Sequence, residues 1–155
     1  MKKKYYIAYG SNMDIEQMAL RCPDAILTGK SELQGYELLF KGSLTGAYAT
    51  IEANEDSIVP VLIWEISKAD ETNLDRYEGY PTFYYKKELE AEVEGEKLQA
   101  MVYIMDEKRQ LGQPSTRYYR ILELAYERFG FDLNILKSAL KKSTPKGGHS
   151  FEFWS

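Results

Sequence analysis

The chain has 155 residues, of which 44% are hydrophobic, 14% aromatic and 28% charged. This composition supplies a hydrophobic core and excludes a disordered tail, a coiled-coil rod and a collagen-like chain. The formal net charge of −4 is opposite in sign to that of proteins that bind a phosphate backbone, so no nucleic-acid partner is expected. We predict one domain over residues 1–155, with 141–155 as a loose or docked tail.

The chain carries one cysteine, Cys22, and one histidine, His149. An intramolecular disulfide and a Cys/His metal site are therefore excluded, and no metal ligands are assigned. The basic start Met1–Lys4 is not followed by an apolar run long enough for a signal peptide or a membrane span. We expect a cytoplasmic protein without a membrane partner, in which carboxylates, tyrosine hydroxyls and backbone groups carry the chemistry.

The first half of the chain is predicted to be mostly strands, with one short helix. Apolar residues predict strands over residues 4–9, 25–40, 47–53 and 58–66. Gly29 and Gly35 indicate bends or bulges in the second range, and Pro60, which lacks a backbone donor, predicts that pairing of the last range begins after it. A helix over 15–21 would be capped by Asn12 or Asp14.

The second half is predicted to contain three helices and a hairpin. A helix starts at Ser67 and ends at Tyr77 or Glu78 before Gly79, and a hairpin turns at Glu94-Gly95-Glu96. The next helix starts at Ser115 and ends at Gly130, and another covers 132–140. The predicted buried face of the helix between Ser115 and Gly130 consists of Tyr118, Ile121, Leu122, Ala125 and Phe129. Because strands outnumber helices without βα alternation, we predict an α+β fold around a curled or closed sheet.

The turn Tyr9-Gly10-Ser11-Asn12 is the first candidate site. A strand that ends at a glycine and leads into a helix start exposes several backbone N–H groups, and the helix N-terminus adds partial positive charge. Such a corner suits a carboxylate or an oxyanion. A plain strand-to-helix turn with Asn12 as its cap would show the same residues.

Glu78 is the second candidate site. It would lie in the last helical turn, where the helix dipole disfavours a carboxylate, and Glu71 and Asp75 on roughly the same face would repel it. Tyr77, Tyr80 and Phe83 offer an apolar wall. These influences predict a raised pKa and a proton-transfer role, unless Arg76 pairs with one of the carboxylates. A solvated helix end is the competing interpretation.

Taken together, five segments of the sequence resemble the gamma-glutamylcyclotransferase-like family. They are Tyr6–Asn12, Arg21-Cys22-Pro23, Ala49-Thr50-Ile51, Leu74–Pro81 and the helix start Pro114-Ser115-Thr116-Arg117-Tyr118. The resemblance implies a small β-barrel edged by helices and an enzyme that cyclises a gamma-glutamyl amide to 5-oxoproline, releasing the amine. It also implies site residues: Glu78 as the catalytic acid/base, Tyr6, Ile7, Ala8, Tyr9, Gly10, Ser11 and Asn12 as the substrate loop, and Tyr118 as a substrate contact.

This chemistry places few demands on the protein. The substrate already contains its nucleophile, the α-amine, tethered to the amide that it attacks. We therefore expect no metal or cofactor, and the implied partner is a small gamma-glutamyl compound. Three alternatives stay open: an enzyme specific for gamma-glutamylamines, a non-catalytic binding domain on the same fold, and an interaction module suggested only by Lys141, Lys142 and Lys146.

Overall fold

The computed structural model describes residues 3–143. Its strands are β1 (Lys4–Ala8), β2 (Ile26–Lys41), β3 (Tyr48–Ile66), β4 (Tyr84–Val93) and β5 (Glu96–Met105). Its α-helices are α1 (Ile15–Arg21), α2 (Lys68–Glu78), α3 (Thr116–Phe129) and α4 (Leu133–Lys142), and a short 3₁₀ helix covers Ser11–Met13. The predicted α+β class is confirmed.

The five strands form one mixed sheet in the order β2-β3-β1-β5-β4. β1 is the central strand, antiparallel to β3 and parallel to β5. Its residues Tyr6, Ile7 and Ala8 are buried. The chain therefore leaves the middle of the core at Ala8 and enters the turn that was predicted as a site.

The sheet is curled, and the closed-barrel alternative is wrong. The two edge strands approach each other where Ser31 Oγ on β2 donates a hydrogen bond to the carbonyl oxygen of Glu92 on β4, at 2.7 Å. Gly29 also lies against Val93: a Cβ on this glycine would be 2.7 Å from a Val93 methyl carbon. No strand ladder joins β2 to β4 within residues 3–143.

The long hairpin β2–β3 differs from its predicted segments. Register shifts occur between Leu27 and Gly29 and between Gln34 and Tyr36, so the bulges lie where the glycines predicted them. Residues 48–66, however, form one strand, and Pro60 pairs with Glu32 inside it. The prediction that pairing begins after Pro60 is wrong, because the ladder between β2 and β3 continues past Pro60 as far as the pair Lys41–Tyr48.

The helix ends follow the predicted capping residues. Ser67 and Asp70 form a reciprocal capping box at the start of α2, and Gly79 ends this helix in the left-handed conformation, with φ of 67°. Asp14, the second of the two predicted caps, accepts a hydrogen bond from Glu16 N at the start of α1. The left-handed conformation of Gly79 thus fixes where α2 ends and where Glu78 lies.

The buried face of α3 is rotated from the predicted one. Tyr119, Leu122, Ala125 and Tyr126 are buried, whereas Tyr118, Ile121 and Phe129 are partly buried. The aromatic content of this helix explains the error, since four aromatic residues satisfy two overlapping helical stripes. The rotation leaves Tyr118 at the edge of the core rather than inside it.

The end of the described chain is docked. α4 continues to Lys142, and Ser143 is buried with its Oγ accepting a hydrogen bond from Phe40 N at 3.0 Å. Of the predicted loose or docked tail, Lys141 and Lys142 continue α4 and Ser143 is docked; the rest, with His149, Phe151, Phe153 and Trp154, lies outside the described residues. No helix of residues 3–143 is long and apolar enough to cross a membrane.

Candidate active site

A cavity of about 310 Å³ opens between the turn that follows β1 and the C-terminal end of α2. This volume is at the lower end of the range for small-molecule sites. The structure brings most of the predicted site residues to it: the cavity is lined by Tyr6, Ile7, Tyr9, Gly10, Ser11, Asn12, Glu78 and Tyr118. Ala8 is buried and is not among the described residues that line the cavity.

The turn after β1 forms one wall of the cavity. Met13 N donates to the carbonyl oxygen of Gly10, and Asp14 N donates to that of Ser11, each at 3.0 Å. These bonds close the 3₁₀ helix, and the N–H groups of Ser11 and Asn12 lie in its first turn, where helical partners are lacking. The turn can therefore offer main-chain donors to a bound anion, as the sequence predicted.

Asn12 is held in place from three directions. Its Nδ2 donates to Tyr6 Oη at 2.8 Å, and Trp64 Nε1 donates to its backbone carbonyl at 3.1 Å. Arg21 Nη1 donates to Asn12 Oδ1 in a close contact. Because both the side chain and the backbone are fixed, this wall is preorganised for a ligand.

Glu78 forms the opposite wall, at the last residue of α2. Burial raises the pKa of its carboxyl to about 7, and the only charge that opposes this among the described residues is the Arg21 guanidinium. The direction that the sequence predicted is confirmed. Arg76, which the sequence left open as an opposing partner, has no part in the shift.

The predicted repulsion from Glu71 and Asp75 is wrong. Glu71 accepts hydrogen bonds from Lys4 Nζ and Lys86 Nζ, both at 2.7 Å, and Lys86 also pairs with Asp75 at 2.8 Å. Tyr103 Oη donates to the same Asp75 oxygen at 2.5 Å. Because these carboxylates are neutralised by lysines, desolvation alone accounts for the high pKa of Glu78.

Tyr118 reaches the cavity from the start of α3. Ser115 caps this helix by accepting from Tyr118 N, and Tyr118 Oη accepts a hydrogen bond from Ala49 N at 3.1 Å. Burial raises the pKa of the Tyr118 hydroxyl well above its ordinary value, so this group stays protonated. It can therefore still donate its own proton to a ligand.

Sequence reasoning missed several tyrosines and one arginine. Tyr84 and Tyr103 line the cavity; Tyr84 Oη donates to Ala49 O at 2.8 Å, and Tyr9 Oη donates to Tyr103 O at 2.5 Å. Both tyrosines lie in strands whose apolar pattern hides them, so no local signal marks them. The sequence marks Arg21 only as part of the segment Arg21-Cys22-Pro23, with no sign of its contact with the turn.

The site combines a carboxyl group that titrates near neutrality, protonated phenols and main-chain donors, with Arg76 in the cavity lining and Arg21 in contact with the turn. This set can move a proton and hold an anionic substrate group in a partly dry cavity. Among residues 3–143 no group of three His, Cys, Asp or Glu side chains is placed to hold a metal ion.

Comparison with known proteins agrees with this chemistry. Residues 6–123 match the family described as "Gamma-glutamyl cyclotransferase, AIG2-like". The chain is 30% identical to the gamma-glutamylcyclotransferase of Bos taurus over 142 residues, which cover 85% of this chain and 74% of the relative. It is also 30% identical to the Homo sapiens gamma-glutamylcyclotransferase over 138 residues, covering 83% and 72% of the two chains.

A solved structure gives the same answer for the fold. A protein described as "Gamma-glutamyl cyclotransferase" superposes with a TM-score of 0.79 at 25% identity, covering 99% of this chain and 98% of that one. Family match, sequence relatives and fold therefore agree over most of the chain. The chain belongs to the gamma-glutamyl cyclotransferase, AIG2-like family of enzymes.

Proposed function

We propose that the cavity converts a gamma-glutamyl amino acid or amide into 5-oxoproline and a free amine, with Glu78 as the proton-transfer group. The observation that carries the assignment is the position of Glu78: its carboxyl, with a pKa of about 7, lines the same cavity as Ser11 and Asn12. One wall can then take the ammonium group of the substrate while the other holds its anionic oxygens.

The reaction needs one bond to form and one to break. The α-amine nitrogen attacks the γ-carbonyl carbon, the five-membered lactam closes, and the bond to the leaving nitrogen breaks. One proton leaves the attacking ammonium and another joins the leaving amine. Because attack is intramolecular, correct geometry supplies up to ~7–11 kcal/mol without a protein nucleophile.

The raised pKa of Glu78 suits both proton transfers. An α-ammonium group titrates near 8 and an ordinary Glu near 4.3, a mismatch of about 5 kcal/mol against deprotonation. With Glu78 at about 7 the mismatch falls to about 1–2 kcal/mol. The same group, once protonated, is a stronger proton donor to the leaving amine than water, so one carboxyl serves as base and then acid.

The roles of the remaining wall residues follow from their chemistry. The N–H groups of Ser11 and Asn12 would hold the substrate carboxylate or the developing oxyanion. Gly10 lets the main chain approach the ligand, and Tyr6, Ile7 and Tyr9 shape the floor. Tyr118 would contact the substrate through its hydroxyl proton.

A product assay tests the proposal. We would measure 5-oxoproline release from gamma-glutamyl amino acids, gamma-glutamylamines and glutathione, with Glu78→Gln as the blank. We expect release from at least one of the three classes, and a ~10²–10⁴-fold or greater loss of turnover in the folded variant. The comparison of amino acids with amines identifies the leaving group.

Two results would contradict the proposal. One is calorimetric binding of gamma-glutamyl compounds without any product, which would favour a binding domain. The other is near-normal turnover in Glu78→Gln.

The single-domain organisation and the cytoplasmic location remain predictions from the sequence.

A further inference from the structure

Arg21, the last residue of α1, contacts residues from both walls of the cavity without lining the cavity itself. On one side its Nη1 donates to Asn12 Oδ1 in a close contact and lies 3.4 Å from Ser11 Oγ. On the other side its Cζ lies 3.5 Å from the centre of the Tyr77 ring. Tyr77 directly precedes Glu78, so one guanidinium touches both the turn after β1 and the end of α2.

The backbone of Arg21 strengthens this connection. Asn73 Nδ2, one helical turn before Tyr77, donates to the Arg21 carbonyl oxygen at 3.0 Å. The end of α1 is thus tied to α2 by a hydrogen bond and by a cation–π contact, each independent of the bonds to the turn. Moving α2 would therefore displace Arg21, and moving Arg21 would remove one of the three bonds that hold Asn12.

A guanidinium is suited to this position and an ammonium is not. Its plane stacks on the Tyr77 ring while its edge presents N–H donors to Ser11 and Asn12. A lysine would carry the same charge but would not stack and donate in one fixed geometry. Substituting Arg21 with lysine therefore keeps the charge and removes the shape of the guanidinium, whereas substitution with glutamine removes the charge as well.

Among the described residues, Arg21 carries the only charge that shifts the pKa of Glu78, although Arg76 also lines the cavity. Tyrosine hydroxyls face it from the other elements: Tyr6 on β1, Tyr9 after β1, Tyr84 on β4 and Tyr118 on α3. Each of these phenols has a raised pKa and stays neutral. Arg21 favours the carboxylate form of Glu78 against the effect of burial.

We propose that Arg21 is a positioning residue of the cyclisation, which holds the anion-binding turn and the proton-transfer carboxyl at the separation that the substrate requires. This rests on the proposed function of the cavity. Arg21 itself acts through Asn12, Ser11 and Tyr77 and need not touch the reacting atoms.

The test compares Arg21→Gln, Arg21→Lys and a matched control, Arg128→Gln, which removes an exposed arginine from the last turn of α3. Melting curves first establish that each variant is folded. We expect Arg21→Gln to lower kcat by ~10–10²-fold, since misplacing reacting groups has effects of this size. Arg128→Gln should match the unaltered chain.

The pH dependence separates positioning from a merely structural role. In Arg21→Gln the acid limb of kcat/KM should move to higher pH, because the cation that favours ionised Glu78 is lost. Arg21→Lys should keep the limb in place and still lose kcat, because charge remains but the stacked geometry does not. Equal kcat in Arg21→Lys and the unaltered chain would overturn the proposal.

A direct titration of Glu78 by carbon NMR in the free protein makes the test independent of turnover. The Glu78 pKa should rise in Arg21→Gln and stay in place in Arg128→Gln. An unchanged Glu78 titration in Arg21→Gln would overturn the proposal even if the chain turns over gamma-glutamyl compounds. Absence of 5-oxoproline from the unaltered chain would instead contradict the proposed function.

Discussion

The hydroxyl of Tyr118 lies directly against Gly10. A Cβ built on this glycine would be 3.1 Å from Tyr118 Oη, closer than most real Cβ contacts, and 3.6 Å from the Cβ of Ala49. The same hydroxyl accepts from Ala49 N at 3.1 Å. The absence of a side chain at Gly10 thus allows α3 to place a phenol against the turn after β1.

Gly10→Ala should displace the Tyr118 hydroxyl and lower kcat/KM by ~10-fold or more, because small displacements in a preorganised site have large effects. In the Tyr118→Phe background the oxygen is gone, so the added methyl group should do less harm. A double-mutant cycle on kcat/KM measures the difference. Simple additivity of the two substitutions would show that this contact does not matter for the reaction.

The activity should depend on the ionisation of Glu78. Burial raises its pKa to about 7, and kcat/KM reports the ionisation of the free enzyme, so kcat/KM should rise with pH up to about 7. Measurement of kcat/KM from acid to neutral pH at constant ionic strength locates this limb. A limb near 4.5, the ordinary value, would mean that Glu78 is not the titrating base.

Glu78→Gln should also stabilise the fold, with a defined dependence on pH. Above about 7 the folded protein must ionise a buried group that ionises freely near 4.5 when unfolded, so native Glu78 lowers the free energy of unfolding there. Below 4.5 both states are protonated and the penalty vanishes. Urea unfolding should show a gain of about 1–3 kcal/mol at alkaline pH and almost none in acid. An equal gain at both pH values would point to a packing effect instead.

Glu71→Gln should have the opposite dependence. Burial works against ionisation of Glu71, but hydrogen bonds from Lys4 and Lys86 outweigh it and lower the pKa. The stabilisation is therefore present above the unfolded pKa and is lost as pH falls through the folded one. Urea unfolding should show a loss of about 1–3 kcal/mol at neutral pH that shrinks in acid.

Glu90→Gln provides the matched control for Glu71. Glu90 lies 3.9 Å from Lys97, and both side chains are more than half exposed. Exposed pairs of this kind contribute about 0–1 kcal/mol, so the variant should unfold almost like the unaltered chain at every pH. If both variants lost the same stability, the Lys4–Glu71–Lys86 cluster would be no more than a surface charge effect.

Gly112→Ala should prevent stable folding. A Cβ at Gly112 would lie 1.6 Å from the carbonyl oxygen of Ser43, and a backbone atom cannot rotate away as a side chain can. Gly46→Ala is the comparison: it has nothing within 4 Å, and its φ of +71° should limit the loss to about 1–2 kcal/mol. Soluble yield and thermal unfolding distinguish the two, and an equal loss would contradict the steric argument.

The sequence predicted those features that depend on residues near each other in the chain. Ser67, Gly79 and Gly130 fix helix ends through local capping at the places predicted for them, and Asp14 is one of the two caps predicted for α1. The turn at Gly10 was also predictable from its short segment. For Glu78 the sequence predicted the direction of the pKa shift but left a solvated helix end open, since its burial depends on the elements packed around it.

Features that depend on distant segments were not predictable in this way. The cation near Glu78 is Arg21 rather than Arg76, because α1 packs beside α2, and no spacing along the chain reveals that neighbour. The lowered pKa of Glu71 likewise depends on Lys4 and Lys86, which lie on β1 and β4. The rotation of α3 reflects competition between two aromatic stripes that only packing resolves.

The central position of β1 has a consequence for how the protein is made. β1 precedes in the chain both strands that it pairs with, β3 and β5, and Tyr9 bonds to Tyr103, 94 positions further on. Long-range pairing of this kind slows folding, since a large loop must close before contacts reward it. During synthesis β1 therefore emerges before both of its partners, and the cavity can be completed only after Tyr118 on α3 has been made.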